Sequence, residues 1–233
     1  MGKNHLKKLN APRTWPIGKK GTKWVTRQNP GTHSLEESMP LNIIIRDLLK
    51  YTTTSKEVKK ILHKKDILVD KKSRRDIKFP VGIFDIIEIP KTKEQFLFLL
   101  NKKRKFFLQK INKKQSEIKY LKIINKTILK KNKLQINFYN GNNLITTKKD
   151  YKIGDTILMD LKDKKVLKHL KLEKGSLIYL TGGKYVGSIG DLEKVSSSNK
   201  LKNDMIELKI DNKKVKTLRK YGFVIDKEII KWI

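Results

Sequence analysis

From residue 91 onward the chain is a succession of short β-prone runs: Phe96 to Leu100, Lys105 to Gln109, Leu121 to Asn125, Leu134 to Tyr139 and Thr156 to Asp160. Each is too short for a core helix and is bounded by turn-forming or charged residues, which restricts this part of the chain to β structure. Asn140-Gly141 predicts a hairpin through a type I′ turn with positive φ at both central positions, and Gly154-Asp155 marks another turn. The spacing fits a small sandwich or barrel. After Val166 a last β unit carries the glycines between Gly175 and Gly190, a polar loop at Ser196 to Asn199, and the alternating Ile206, Leu208 and Ile210, with the residues after Thr217 closing it.

The first 90 residues differ. Residues 1–40 show little periodicity and hold Pro12, Pro16, Pro30 and Pro40, with basic residues interleaved with Trp15 and Trp24. This predicts an extended basic arm that orders against RNA; the alternative is a linker packed on its own domain, because two tryptophans are costly to leave in water. From Met39 an amphipathic helix is expected, with Leu41, Ile44, Ile45 and Leu48 on one face and Asn42, Arg46 and Lys50 on the other. Thr54 and Glu57 form a capping box opening a second helix, in which Val58, Ile61 and Leu62 face inward and Lys56, Lys59, Lys60 and Lys64 outward. A strand at Ile67 to Val69, a turn at Asp70 to Ser73 and a strand at Asp85 to Ile89 follow.

Charge bears on function more than on fold. The 233 residues include 56 Lys plus Arg against 23 Asp plus Glu, a formal net charge of +33 that calls for an anionic partner, nucleic acid first. Nearly all the cations are lysines, and abundant Lys, Ile and Asn together also follow from an AT-rich genome. The seven arginines are more informative, and five lie in the first 75 residues. No run of about 18 apolar residues and no leader with a small-residue cleavage site is visible, so no membrane partner is expected. Without cysteine there are no disulfides, thiolate metal sites or cysteine nucleophiles, and His5, His33, His63 and His169 are too dispersed for a local metal motif. No metal, cofactor, small-molecule substrate or catalytic residue is therefore expected. Gly182-Gly183-Lys184 is followed by Tyr185 and lacks the glycine spacing of a nucleotide-binding loop.

Residues 39–89 resemble the helix-turn-helix-hairpin RNA-binding module first named from bacterial ribosomal protein S-four; the plainer alternative is a solvated basic face. The run from Lys174 through Gly175, Gly182, Gly183, Lys184, Gly187 and Gly190 is similar to the KOW motif, a hairpin of a Src-homology-three-like barrel. Its alternative is a purely structural hairpin with Lys184 exposed. In order along the chain, the arm, helical module, β region and glycine hairpin resemble small-ribosomal-subunit protein four of the archaeal and eukaryotic type. The most specific stretches are His5 to Pro12, Pro40 to Leu49 with Arg46-Asp47, Glu57 to Leu62, and Thr181-Gly182-Gly183. In departure from that family, Lys71 and Lys72 occupy a turn where glycine is usual, and Lys184-Tyr185 stands where Arg-Asn is expected.

The resemblance implies an α+β multidomain chain: arm 1–40, S-four-like module 41–90, central β-domain 91–170 and KOW-containing Src-homology-three-like barrel 171–233. It implies a cytoplasmic structural constituent of the small ribosomal subunit, with small-subunit ribosomal RNA and neighbouring small-subunit ribosomal proteins as partners. A ribosome-assembly or transcription elongation factor docking through the KOW barrel is the alternative. The expected RNA contacts are Lys7, Lys8, Arg13, Lys19, Lys20 and Lys23 in the arm, with Trp15 and Trp24 stacking on bases, then Arg46, Lys56, Lys59, Lys60, Lys72, Arg74, Arg75 and Lys184.

Overall fold

The computed structural model describes residues 4–18, 20–196, 204–211 and 213–230, and divides into two compact units: Met1–Leu100 with Arg104–Glu117, and Asn101–Lys103 with Ile118–Ile233. In the first, β1 (Leu6–Lys7) pairs antiparallel with β2 (Trp24–Val25), and β3 (Ser38–Pro40) leads into helix α1 (Leu41–Ile43). The helix runs on as a wider π-type turn over Ile44–Leu48, where the Leu49 amide donates to the Ile44 carbonyl five residues back (2.9 Å). Helix α2 (Ser55–His63) opens with the expected capping box: Thr54 accepts from the Glu57 amide, and the Glu57 carboxylate accepts from the Thr54 amide. Val58 and Leu62 are fully buried, while Lys56, Lys59, Lys60 and Lys64 are exposed.

Strands β4 (Leu68–Val69), β5 (Lys72–Ser73), β6 (Pro80–Gly82), β7 (Ile86–Ile89), β8 (Glu94–Leu100) and β9 (Phe106–Ile111) complete this unit. Five form an antiparallel sheet in the order β5-β4-β7-β8-β9, and β6 pairs with β3. The β4–β5 connection is a two-residue turn in which Asp70 and Lys71 both have positive φ (51° and 61°), the type I′ signature. Lys71 accepts that strained backbone while its ammonium pairs with the buried Glu88 carboxylate at 2.5 Å.

Several expectations are corrected here. The described residues among 4–40 do not stand out as an extended arm; Leu6, Trp15, Gln28, His33 and Ser38 are all buried, so the packed alternative holds. The reason is that Trp15 finds a complete partner set inside the unit. Its indole Nε1 donates to the Ser38 carbonyl (2.8 Å), and the Lys105 ammonium donates to the Arg13 and Trp15 carbonyls (2.5 and 3.2 Å). Asn42, expected on the outer helix face, is fully buried and donates to Thr26 Oγ1 (2.6 Å) and Ser55 Oγ (3.0 Å). Those hydroxyls meet its NH2 group, whereas its buried Oδ1 has no hydrogen-bond partner among the described residues.

Among the described residues of the second unit, the regular structure is antiparallel sheet apart from single 3-10 turns and a short helix at Lys227–Ile230. Strands β10 (Ile118–Leu129), β11 (Lys133–Phe138), β12 (Asn143–Thr146), β13 (Thr156–Asp160) and β14 (Val166–Leu170) form one sheet in the order β12-β11-β10-β13-β14. Its core holds Leu121, Ile123, Ile136, Phe138, Tyr151 and Ile157. Strands β15 (Leu177–Leu180), β16 (Ile189–Ser196), β17 (Met205–Ile210), β18 (Lys213–Leu218) and β19 (Gly222–Ile225) form another, in the order β18-β17-β16-β15-β19. Ile178, Leu180, Leu192, Ile206, Leu208 and Val224 fill its core.

The two halves of this unit meet at Lys122, a 5%-exposed lysine on β10 whose ammonium donates to the carbonyls of Arg219 (3.1 Å), Lys220 (2.8 Å) and Gly222 (2.5 Å). The β11–β12 connection is looser than a type I′ turn. Gly141 has φ +74°, Asn140 lies outside the positive-φ region, and the Asn140 side chain instead accepts from the Asn142 amide (3.2 Å). Four outer sheet edges carry exposed lysines: Lys72 on β5, Lys110 on β9, Lys168 on β14, and Lys213, Lys214 and Lys216 on β18.

Candidate nucleic-acid interface

In the N-terminal unit the β1–β2 pairing sets one edge of a cationic surface. Lys7, Arg13, Lys20 and Lys23 are exposed, and Lys8 is tethered, its ammonium donating to the Lys20 carbonyl (3.0 Å). Lys19 lies outside the described residues. The tryptophans part company: Trp15 is 1% exposed and unavailable to any base, whereas Trp24 is 52% exposed. The His5 ring lies 5.6 Å from the Trp24 ring and the Lys23 ammonium 5.5 Å from its centre. An indole left open among cations suits stacking on an unpaired base, with the cations supplying the counter-charge.

Beside Trp24 runs a groove of about 570 Å³, walled by Lys8, Pro16, Ile17, Arg46, Asp47 and Lys50. Arg46 reaches it already forked onto Asp47, with Nε donating to Oδ1 (2.8 Å) and Nη2 to Oδ2 (2.9 Å). That hydrogen bond raises the already high pKa of Arg46, against partial burial. With its charge met at home, Arg46 is a weaker phosphate ligand than its residue type suggests. Lys50 carries no such partner among the described residues of the groove wall; it is exposed, in the left-handed region at φ +57°, just past the helix end. Sequence periodicity places Lys50 on a helix face; only the turn of the backbone there brings it to the groove.

Helix α2 presents Lys56, Lys59 and Lys60 outward from a single face, spaced three and four residues apart. Lys72 and Arg75 are exposed, and Arg74 lies with its guanidinium 4.3 Å from the centre of the Phe79 ring. In the second unit Lys184 is exposed, its ammonium 5.7 Å from the Tyr185 ring centre. The glycines around it have packing reasons of their own. A Cβ on Gly182 would sit 2.4 Å from the Tyr221 ring, and one on Gly187, at φ +75°, 2.4 Å from the Asn101 carbonyl carbon.

The two His–Asp pairs seen among the described residues hold turns. Asp85 accepts from the Gly82 amide (2.8 Å) and meets His33 at 3.1 Å; Asp155 accepts from the Lys152 and Leu172 amides (each 2.9 Å) and meets His169 at 2.8 Å. Among the described residues no group of three or more His, Asp or Glu could hold a metal ion.

Residues 92–166 match the model of ribosomal family S4e, and residues 1–36 match the RS4NT (NUC023) domain. The small ribosomal subunit protein eS4 of Methanosphaera stadtmanae is 37% identical over 230 residues, spanning 98% of this chain and 95% of that protein. The eS4 of Archaeoglobus fulgidus is 34% identical over 224 residues, spanning 96% and 94%. The crystal structure of the 30S ribosomal protein S4e from Thermoplasma acidophilum superposes with a TM-score of 0.70 at 30% identity, covering 81% of this chain and 95% of that one. The family that these matches define is one of structural ribosomal proteins, not of enzymes. The chain belongs to the S4e family, whose members carry the name small ribosomal subunit protein eS4, as the order of motifs along the sequence predicts.

Proposed function

We propose that the protein is a constituent of the small ribosomal subunit in the cytoplasm, where it binds and organises small-subunit ribosomal RNA beside neighbouring ribosomal proteins. The observation that carries this is the solvent-facing cationic set of the N-terminal unit, in which Lys7, Lys20, Lys23, Lys56, Lys59, Lys60, Lys72 and Arg75 are exposed, together with the open indole of Trp24. Phosphate contacts of this kind position RNA without reading its sequence. Within that role residues 41–90 act as the S-four-like RNA-binding module and residues 171–233 as the KOW-bearing barrel, with Lys184 as a point charge on phosphate. The helix pair followed by a hairpin and the tight glycine turns support these assignments.

The test is equilibrium binding to small-subunit rRNA fragments across a salt series. The logarithm of affinity should fall linearly with the logarithm of salt, and Lys56→Glu/Lys59→Glu/Lys60→Glu should make that slope shallower by roughly 0.7–0.9 for each phosphate no longer neutralised. Affinity that does not change between dilute and physiological buffer would refute the assignment.

A further inference from the structure

We infer that the groove beside Trp24 is a pocket for a single extruded ribonucleotide, so that the protein recognises a bulged or unpaired position in otherwise structured RNA. The inference rests on the RNA-binding role above and adds to it the site, the ligand and the chemistry of each wall.

Three observations converge. The first is size: about 570 Å³ falls within the roughly 300–1,000 Å³ that small-molecule sites occupy, whereas an RNA helix would bridge the opening and leave it empty. The second is the mixed lining. Trp24 offers an open aromatic face with Pro16, Ile17 and Val25 as further apolar surface, the combination that takes up a nucleobase. Lys8 and Lys50 add cationic groups for the phosphate that accompanies the base.

The third is the state of Asp47. An acidic side chain in a phosphate-binding groove is unfavourable unless it does something there. Its fork with Arg46 uses one lone pair on each oxygen and cancels its charge, leaving the outer lone pairs as acceptors. The donor that an extruded ribonucleotide brings, and a deoxyribonucleotide lacks, is the 2′-hydroxyl. The geometry thus assigns the base to Trp24, the phosphate to Lys8 and Lys50, and the 2′-hydroxyl to Asp47.

The experiment uses the full chain and three RNA hairpins: a perfect duplex stem, the same stem with one bulged nucleotide, and the bulged stem with a 2′-deoxy substitution at the bulge alone. Parent protein should bind the bulged stem about ten-fold more tightly than the perfect one at fixed salt. The 2′-deoxy bulge should lose about half an order of magnitude of that gain. Trp24→Leu should abolish the preference, so that bulged and perfect stems bind with equal affinity. Asp47→Ala, which removes the acceptor oxygens altogether, should remove the distinction between ribose and deoxyribose and keep the bulge preference.

Equal affinity of the parent protein for bulged and perfect stems would overturn the pocket while leaving the phosphate-binding role intact. So would a bulge preference that survives Trp24→Leu. Failure to bind any of the three hairpins would take down both. Circular dichroism of each variant controls for folding, and these side chains lie at the surface.

Discussion

Trp15 and Trp24 have the same side chain, lie nine positions apart and should respond to mutation in opposite ways. Trp15 is buried, its N–H is satisfied by the Ser38 carbonyl at 2.8 Å, and the backbone around it is pinned by Lys105 and by the Phe106 amide donating to the Thr14 carbonyl (2.9 Å). Truncating a fully buried tryptophan to alanine costs about 3–5 kcal/mol through lost transfer energy and the cavity left behind. Against a domain stability of about 5–15 kcal/mol, that is about a fifth or more of what holds the N-terminal unit folded. Trp15→Phe keeps most of the apolar volume and removes the donor, so the Ser38 carbonyl is left unmet at about 1–3 kcal/mol. The assay is urea unfolding followed by far-UV circular dichroism, paired with hydrogen exchange over the peptides spanning 6–40 and 94–111. With a slope near 2 kcal/mol/M, Trp15→Ala should lower the midpoint by about 2 M and Trp15→Phe by about 1 M. Trp24→Ala should leave stability within about 0.5 kcal/mol of the parent, as exposed sites do, and lower RNA affinity. A Trp15→Ala protein as stable as the parent but weakened in RNA binding would refute the reasoning, because it would mean the indole leaves the core to meet RNA.

Three further outcomes follow from single interactions. The Lys110 ammonium (2.8 Å) and the Tyr51 hydroxyl both donate to the Glu94 carboxylate and lower its pKa from 4.5 to about 2, so the folded state favours the ionised form. The stability it contributes is complete above about pH 4.5 and is lost as pH falls towards 2; in acid titrations Glu94→Gln should be less stable than the parent at neutral pH and converge with it at the acid end. Lys122→Met should destabilise the C-terminal unit by about 2–4 kcal/mol in urea unfolding, because three carbonyls lose a charged donor together. Gly187→Ala meets both a left-handed backbone and the Asn101 carbonyl and should cost more than about 2 kcal/mol, whereas Gly175→Ala, at φ +86° with open space around it, should cost about 1 kcal/mol, both read as thermal shifts.

What the sequence discloses and what it hides divides along the range of the interactions. The Thr54–Glu57 capping box and the Thr156–Asp160 strand are local chemistry, and both stand where the residues indicate. Strand β14 is harder to see: Val166, Leu167 and Lys168 are all exposed, so no period-two alternation announces it. Strand β19 pairs with β15 across some forty residues, a register no local pattern encodes. The same limit applies at the interface. Neither propensity nor spacing separates Trp15 from Trp24, or an Arg46 discharged by its neighbour Asp47 from an open Arg75; each depends on partners brought in by the fold.

The lysines on the sheet edges matter before any RNA is met. A ribosomal protein exists for a time as a free chain, and one with several antiparallel sheets then exposes rows of unpaired backbone donors and acceptors on which a second copy could template. Lys72 on β5, Lys110 on β9, Lys168 on β14 and the three lysines of β18 place like charges where such copies would approach edge to edge. Strands β12 and β19 are the edges of these five-stranded sheets that carry no lysine; β19 is buried throughout, whereas Ile145 on β12 is 59% exposed. In a concentrated, RNA-free preparation, β12 is where self-association should begin, and Ile145→Lys should delay it.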